Sequence, residues 1–178
     1  CAIGTYRETT GGTVEADCAT CPSDKKCPNR GTVNPLSDFS CKAGYYCPTP
    51  SDQIACPKGS YCPENSPDHI VCTDTVNGAY GDGYYQPDTH QDFCEKCPVG
   101  FYCDNADSST ATQCPVGHYC PLTSAAPSEC AIGKFMPWMG AESSSACLPC
   151  TEGFECYSLG IDAPDEPCTQ GYYCPYGG

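Results

Sequence analysis

The chain has 178 residues, among them 20 Cys, 18 Gly and 18 Pro, and a formal net charge of -14. Leu, Ile, Val and Phe together number 20, about 11% of the chain, under the roughly 20% below which highly charged sequences do not bury a conventional core. Only 8 Lys and Arg are present, scattered along the chain, which excludes nucleic acid and anionic lipid as partners because both need clustered positive charge.

Cross-links must therefore replace the aliphatic core, and an even number of Cys allows every one to pair. Paired thiols persist in oxidising places, so an extracellular or cell-surface location is expected. The chain holds no apolar run long enough to span a bilayer, no signal peptide and no lipidation motif. Beginning at Cys1 and ending CPYGG, it reads as a mature piece of a longer exported protein.

In chain order the Cys spacing divides the sequence into three repeats. Residues 1–71 run C-x16-C-x2-C-x5-C-x13-C-x5-C through Cys1, Cys18, Cys21, Cys27, Cys41 and Cys47, with one inserted C-x5-C box at Cys56 and Cys62. Residues 72–129 run C-x21-C-x2-C-x5-C-x10-C-x5-C through Cys72, Cys94, Cys97, Cys103, Cys114 and Cys120. Residues 130–178 run C-x16-C-x2-C-x5-C-x11-C-x5-C through Cys130, Cys147, Cys150, Cys156, Cys168 and Cys174. CAIGTY at Cys1 returns as CAIGKF at Cys130.

The C-x5-C box occurs seven times, and six copies carry Gly at the fourth place, which suits a tight turn with positive φ. Five copies place Tyr before the second Cys, where the ring can lie across a disulfide. The first copy, CPSDKKC, has neither feature and implies a turn built differently. With no sustained period of 3.6 and abundant Pro and Gly, the expected fold is a set of small disulfide-rich repeats. Little regular secondary structure, short β-hairpins and an elongated rod of stacked units should follow.

Connectivity is constrained by the inserted box. A crossed scheme consumes boxes in twos and would strand the third box of residues 1–71, whereas local closure or chaining between neighbouring boxes absorbs it. Local closure is favoured, as in Cys97 with Cys103 and Cys114 with Cys120. The long loops then close separately, Cys1 with Cys18, Cys72 with Cys94 and Cys130 with Cys147.

The repeated C-x2-C followed by C-P-x-G-x-Y-C resembles the cysteine-rich, ephrin-receptor-like repeats of large protist surface proteins. It is also similar to mastigoneme-type filament proteins of flagella and, more distantly, to tumour necrosis factor receptor modules. The resemblance covers nearly the whole chain and implies a receptor, adhesin or filament role. Receptor modules usually cross their disulfides, which the three-box first repeat disfavours.

No catalytic residue is assigned. The only His are His69, His90 and His118, none sits in a family signature, and no nucleophile or phosphate-loop motif appears. The C-x2-C pairs at Cys18/Cys21, Cys94/Cys97 and Cys147/Cys150 are half-sites for zinc in isolation, but each is embedded in a six-Cys repeat. Acidic groups such as Asp104 with Asp107, or Asp162, Asp165 and Glu166, match no calcium loop and read as solvated charge. No metal or cofactor is expected.

Two stretches read as contact surfaces. KFMPWMG, residues 134–140, gathers Phe135, Met136, Trp138 and Met139 around the only Trp, residue types enriched at interfaces. NGAYGDGYYQPD, residues 77–88, is a loop insertion carrying Tyr80, Tyr84 and Tyr85. The alternative for both is that they cap a disulfide cluster in their own repeat. There is no N-x-S/T sequon, and DSST, PLTSAAPS and ESSS are suited to O-linked glycans. The expected function is a structural component of an extracellular filament or surface coat, self-associating head to tail into a polymer. A ligand-binding or adhesion ectodomain is the alternative.

Overall fold

The computed structural model describes residues 1–177 except 9, 23–26, 28, 29, 32, 34–39, 50, 51, 75–78 and 105–107. Its local unit starts at the Cys-x-x-Gly step. Gly44 has φ +82°, and the Tyr45 N–H donates to the Lys42 carbonyl at 3.0 Å, closing a type II-like turn that only glycine enters without steric cost. Two extended residues follow, a second pair returns antiparallel, and the Cys56 N–H donates back to the Gly44 carbonyl at 3.0 Å.

Among the described residues this unit occurs eight times. In chain order β1 (Thr5–Tyr6) pairs with β2 (Ala19–Thr20), β3 (Tyr45–Tyr46) with β4 (Ile54–Ala55), and β5 (Ser60–Tyr61) with β6 (Ile70–Val71). Next, β7 (Tyr84–Tyr85) pairs with β8 (Glu95–Lys96), β9 (Phe101–Tyr102) with β10 (Thr112–Gln113), and β11 (His118–Tyr119) with β12 (Ser128–Glu129). Last, β13 (Lys134–Phe135) pairs with β14 (Leu148–Pro149), and β15 (Phe154–Glu155) with β16 (Glu166–Pro167). The only helical pieces among these residues are single 3-10 turns at Glu15–Asp17 and Ser144–Ala146. Each lies just before a second strand and shortens the path back into its hairpin.

All twenty cysteines are paired. Seven disulfides close a C-x5-C box on itself, with Cα–Cα distances from 5.7 to 6.2 Å that the turn sets within disulfide reach. Three close longer loops: Cys1 with Cys18, Cys72 with Cys94, and Cys130 with Cys147. Each of the three anchors the residue that enters a second strand.

The core is largely sulfur. Besides cysteines, the only buried hydrophobic residues among those described are Tyr61, Met136 and Ala141. Single hairpins of this length have no stability of their own in water, so the cross-links and the contacts between hairpins hold the fold.

The chain divides into two compact units, one of residues 1–79 with 86–94 and one of residues 80–85 with 95–178. Within each, successive hairpins are joined by the same three backbone hydrogen bonds. In the first unit the Gly44 N–H donates to the Cys62 carbonyl (2.8 Å), the Cys47 N–H to Ser66 (2.9 Å), and the Asn65 N–H to Cys41 (2.8 Å). In the second unit the set recurs as Gly117 to Met136 (2.8 Å), Cys120 to Ala141 (2.9 Å), and Gly140 to Cys114 (2.8 Å). The next hairpin repeats it as Gly133 to Cys156 (2.8 Å), Met136 to Ile161 (3.0 Å), and Gly160 to Cys130 (3.0 Å).

Among the described tips, the donating residue has positive φ. Gly140, Gly160 and Gly177 do so as glycines, but Asn65 (φ 66°), His90 (φ 64°) and Thr123 (φ 63°) do so at a steric cost that the ladder outweighs.

Candidate functional site

The KFMPWMG stretch is split by this geometry. Lys134 and Phe135 form β13 against Pro149 and Leu148. Met136 then occupies the place that the second Cys of a box holds elsewhere. It is fully buried and packs with Cys130, Ala141 and Cys147, with Tyr119 and Ala146 against the cluster. Pro137, Trp138, Met139 and Gly140 form the tip, where Trp138 is 50% and Met139 52% exposed. Met136 therefore belongs to the interior, Phe135 is half-buried, and Trp138 with Met139 faces solvent.

The Tyr stretch is a hairpin of the common kind, not a loop insertion. Gly83 has φ +79°, Tyr84 and Tyr85 form β7, and Tyr80 and Gln86 stand in the two Cys places of a box. Residues 77 and 78 lie outside the described residues. Gln86 is 1% exposed, donates from Nε2 to the Phe93 carbonyl at 2.8 Å, and accepts at Oε1 from the Asp88 N–H at 3.0 Å. Those two bonds tie the tip to the place where other hairpins carry the second Cys of a box disulfide. Tyr80, Tyr84 and Tyr85 are all half-buried, and the Tyr80 and Tyr84 rings meet at 5.1 Å.

Tyr119 shows that the aromatic before the second Cys reaches the cluster of the following hairpin, since its contacts are with the Cys130–Met136 group. Tyr61 is buried and accepts the Ala79 N–H at its hydroxyl (2.9 Å), whereas Tyr173 is exposed. The turn of CPSDKKC, residues 23–26, lies outside the described residues; Cys21 and Cys27 at its ends are paired.

The histidines sit apart in local roles. His69 lies beside Asp68 at 2.9 Å and near the Tyr46 ring, His90 meets the edge of Tyr45 at 4.9 Å between centroids, and His118 Nδ1 lies 2.8 Å from the Val116 carbonyl. Because every Cys is in a disulfide, the C-x2-C pairs offer no thiolate to a metal. The one grouping of ligand-type atoms among the described residues, Glu155 with Cys168 and Cys174, contains a disulfide and is disqualified for the same reason. Asp165 spends its carboxylate on the Tyr157 and Ser158 N–H groups, both at 3.0 Å. Asp107 lies outside the described residues.

Sequence reading missed the apolar character of three successive tips in the second unit. In the first unit the described tips present Glu64, Asp88, Thr89 and His90. Three successive tips of the second unit present Leu122, then Trp138 with Met139, then Tyr157 with Leu159, all exposed and all uncharged. Desolvation, followed by the carboxylates of Glu166, Asp165 and Glu155, raises the Tyr157 phenol above its ordinary 10.0, so it stays neutral at physiological pH. Aligning the tips by their positive-φ residue would have revealed this contrast, but that register comes from the backbone.

Beside the third tip lies an open groove of about 380 Å³, lined by Ile132, Glu155, Tyr157, Tyr173 and Pro175 and by the Cys156 and Cys174 positions. No helix among the described residues is long and apolar enough to cross a membrane. Compared with known protein families and with curated proteins, the chain matches none.

Proposed function

We propose that this chain is a structural segment of an extracellular filament or surface coat, built from disulfide-stapled hairpins and self-associating into a polymer. The observation that carries the reading is the backbone ladder. The same three hydrogen bonds join hairpin after hairpin, so each hairpin leans on its neighbours and length comes from repetition. Complete pairing of the cysteines suits an oxidising exterior, and the resemblance of the C-P-x-G-x-Y-C boxes to protist surface and flagellar filament repeats agrees with it.

Ser143, Ser144 and Ser145 are exposed and would accept O-linked sugar, while Ser108 of the DSST loop is buried and would not. A second reading, an adhesion or ligand-binding ectodomain, is favoured by one observation: only one tip carries a Trp. The test is negative-stain imaging of the oxidised chain with sedimentation at rising concentration. Regular polymers support the structural reading, and a persistent monomer transfers the case to the ectodomain.

A further inference from the structure

We propose that the apolar tips of the second unit, carrying Leu122, Trp138 with Met139, and Leu159, are the docking surface for a basic segment of another protein that brings apolar side chains along with its positive charge. The contact goes beyond the structural reading above and holds for a single chain as for a polymer.

It starts from one backbone place. The residue just before the positive-φ donor of a tip is Glu64 before Asn65 and Thr89 before His90, but Leu122 before Thr123, Met139 before Gly140 and Leu159 before Gly160. The ladder accepts a carboxylate or a hydroxyl there, so the fold itself does not call for an apolar residue. All three are about half exposed, at 52%, 52% and 54%, and forgo the burial that would favour an apolar side chain. Trp138 adds a half-exposed indole beside Met139. Leu122, Trp138 and Met139 stay open although a full hairpin follows each of their tips, β13 with β14 and then β15 with β16. Ladder bonds fix the three tips, from the N–H groups of Thr123 to Cys97 (2.9 Å), Gly140 to Cys114 (2.8 Å) and Gly160 to Cys130 (3.0 Å), so a partner loses little affinity to ordering them.

Charge selects the occupant. Residues 121–166 hold seven Asp and Glu against one Lys, a local net charge of -6. Glu129 lies beside the last of the three tips, its Cγ 3.2 Å from where a β-carbon on Gly160 would stand, and Glu142 is exposed two residues after Gly140. A second copy of this chain, an anionic lipid surface and a nucleic acid are all repelled there. Lys or Arg flanking an apolar side chain instead meets carboxylates while that side chain covers Leu122, Met139 or the indole, whose face also attracts a cation.

The test titrates the oxidised 178-residue chain, at concentrations where sedimentation shows a single species, with three synthetic peptides of equal length: Lys/Leu, Lys/Ser and Glu/Leu. Binding is read from the anisotropy of labelled peptide and from Trp138 emission. A variant combining Leu122→Thr with Met139→Thr gives both places the residue type that Thr89 already supplies in the first unit, and intact mass checks its disulfides. The Lys/Leu peptide is expected to blue-shift the emission, to bind about tenfold more tightly than Lys/Ser, to lose about tenfold in the variant, and to weaken as salt rises, while Glu/Leu does not bind. Equal affinity for Lys/Leu and Lys/Ser would mean adsorption to net negative charge and overturns the proposal, as does unchanged affinity in the variant or no binding of Lys/Leu. Glu/Leu binding as tightly as Lys/Leu overturns the basic occupant. The polymer reading is decided separately, by sedimentation of the chain alone.

Discussion

The carbonyl oxygen of Gly160 stands directly over Gly117, two hairpins earlier in the chain: a β-carbon on Gly117 would lie 1.8 Å from it. The same approach recurs between Gly100 and Gly140 (2.7 Å), and between Gly44 and His90 (2.2 Å). Glycine at the fourth place of the box therefore serves twice. It supplies the positive φ of the turn, and it leaves room for a backbone two hairpins on.

Gly117→Ala should consequently cost more than Gly153→Ala. Both residues have positive φ, worth about 1–2 kcal/mol against an L side chain, but at Gly153 a β-carbon meets no atom within 4 Å. Guanidinium unfolding of the oxidised variants reads the difference. Equal losses would show that hairpins two apart do not press on one another.

Met136→Ala should destabilise the chain by about 2–5 kcal/mol, the usual cost of truncating a buried large side chain. Trp138→Ala, measured on the monomer, should stay within about 0.5 kcal/mol. The two residues are neighbours in sequence, so thermal unfolding of this pair separates core from surface inside one tip.

Replacing Gln86 by Leu keeps the volume and removes both tip bonds, leaving the Phe93 carbonyl and the Asp88 N–H to find other partners. A loss of about 1–3 kcal/mol is expected. Limited proteolysis should show faster cleavage within residues 87–93. An unchanged cleavage rate would mean that the Cys72–Cys94 disulfide and the ladder bonds of His90 and Gln91 hold the tip without Gln86.

Removing Cys130 and Cys147 together should cost about 3 kcal/mol by the chain-entropy estimate, against about 2 kcal/mol for the shorter Cys168–Cys174 loop. It also opens the cluster that holds Met136. Full reduction of all ten bridges should abolish the near-ultraviolet dichroism of the tyrosines and the Trp, because too little aliphatic surface remains to hold the hairpins together.

The fold class was legible in the sequence for a simple reason. Twenty Cys against only twenty Leu, Ile, Val and Phe in 178 residues make cystine the main available interior, and Cys-x-x-Gly spells out a turn. Trp138 was legible as a surface candidate because a chain with so little interior has few places to hide an indole. The groove was not, because Ile132 and Tyr157 come from two successive hairpins, Tyr173 and Pro175 from the segment after them, and they share no spacing rule.

What the sequence determined by itself is the scaffold: a coreless, acidic, cross-linked repeat chain whose turns are placed by glycine. What only the tertiary structure decided is the period and the pairing between units of that period. The smallest backbone unit is one hairpin, eight of them among the described residues, and Gln86 and Met136 each fill a second-Cys place with a different chemistry, which hides that unit from a count of Cys. The ladder that joins hairpins is made of backbone N–H and carbonyl groups, which every residue but proline carries. The glycines that make room for the ladder can be read in the sequence, but which backbone groups they join could be located only once the chain had been folded.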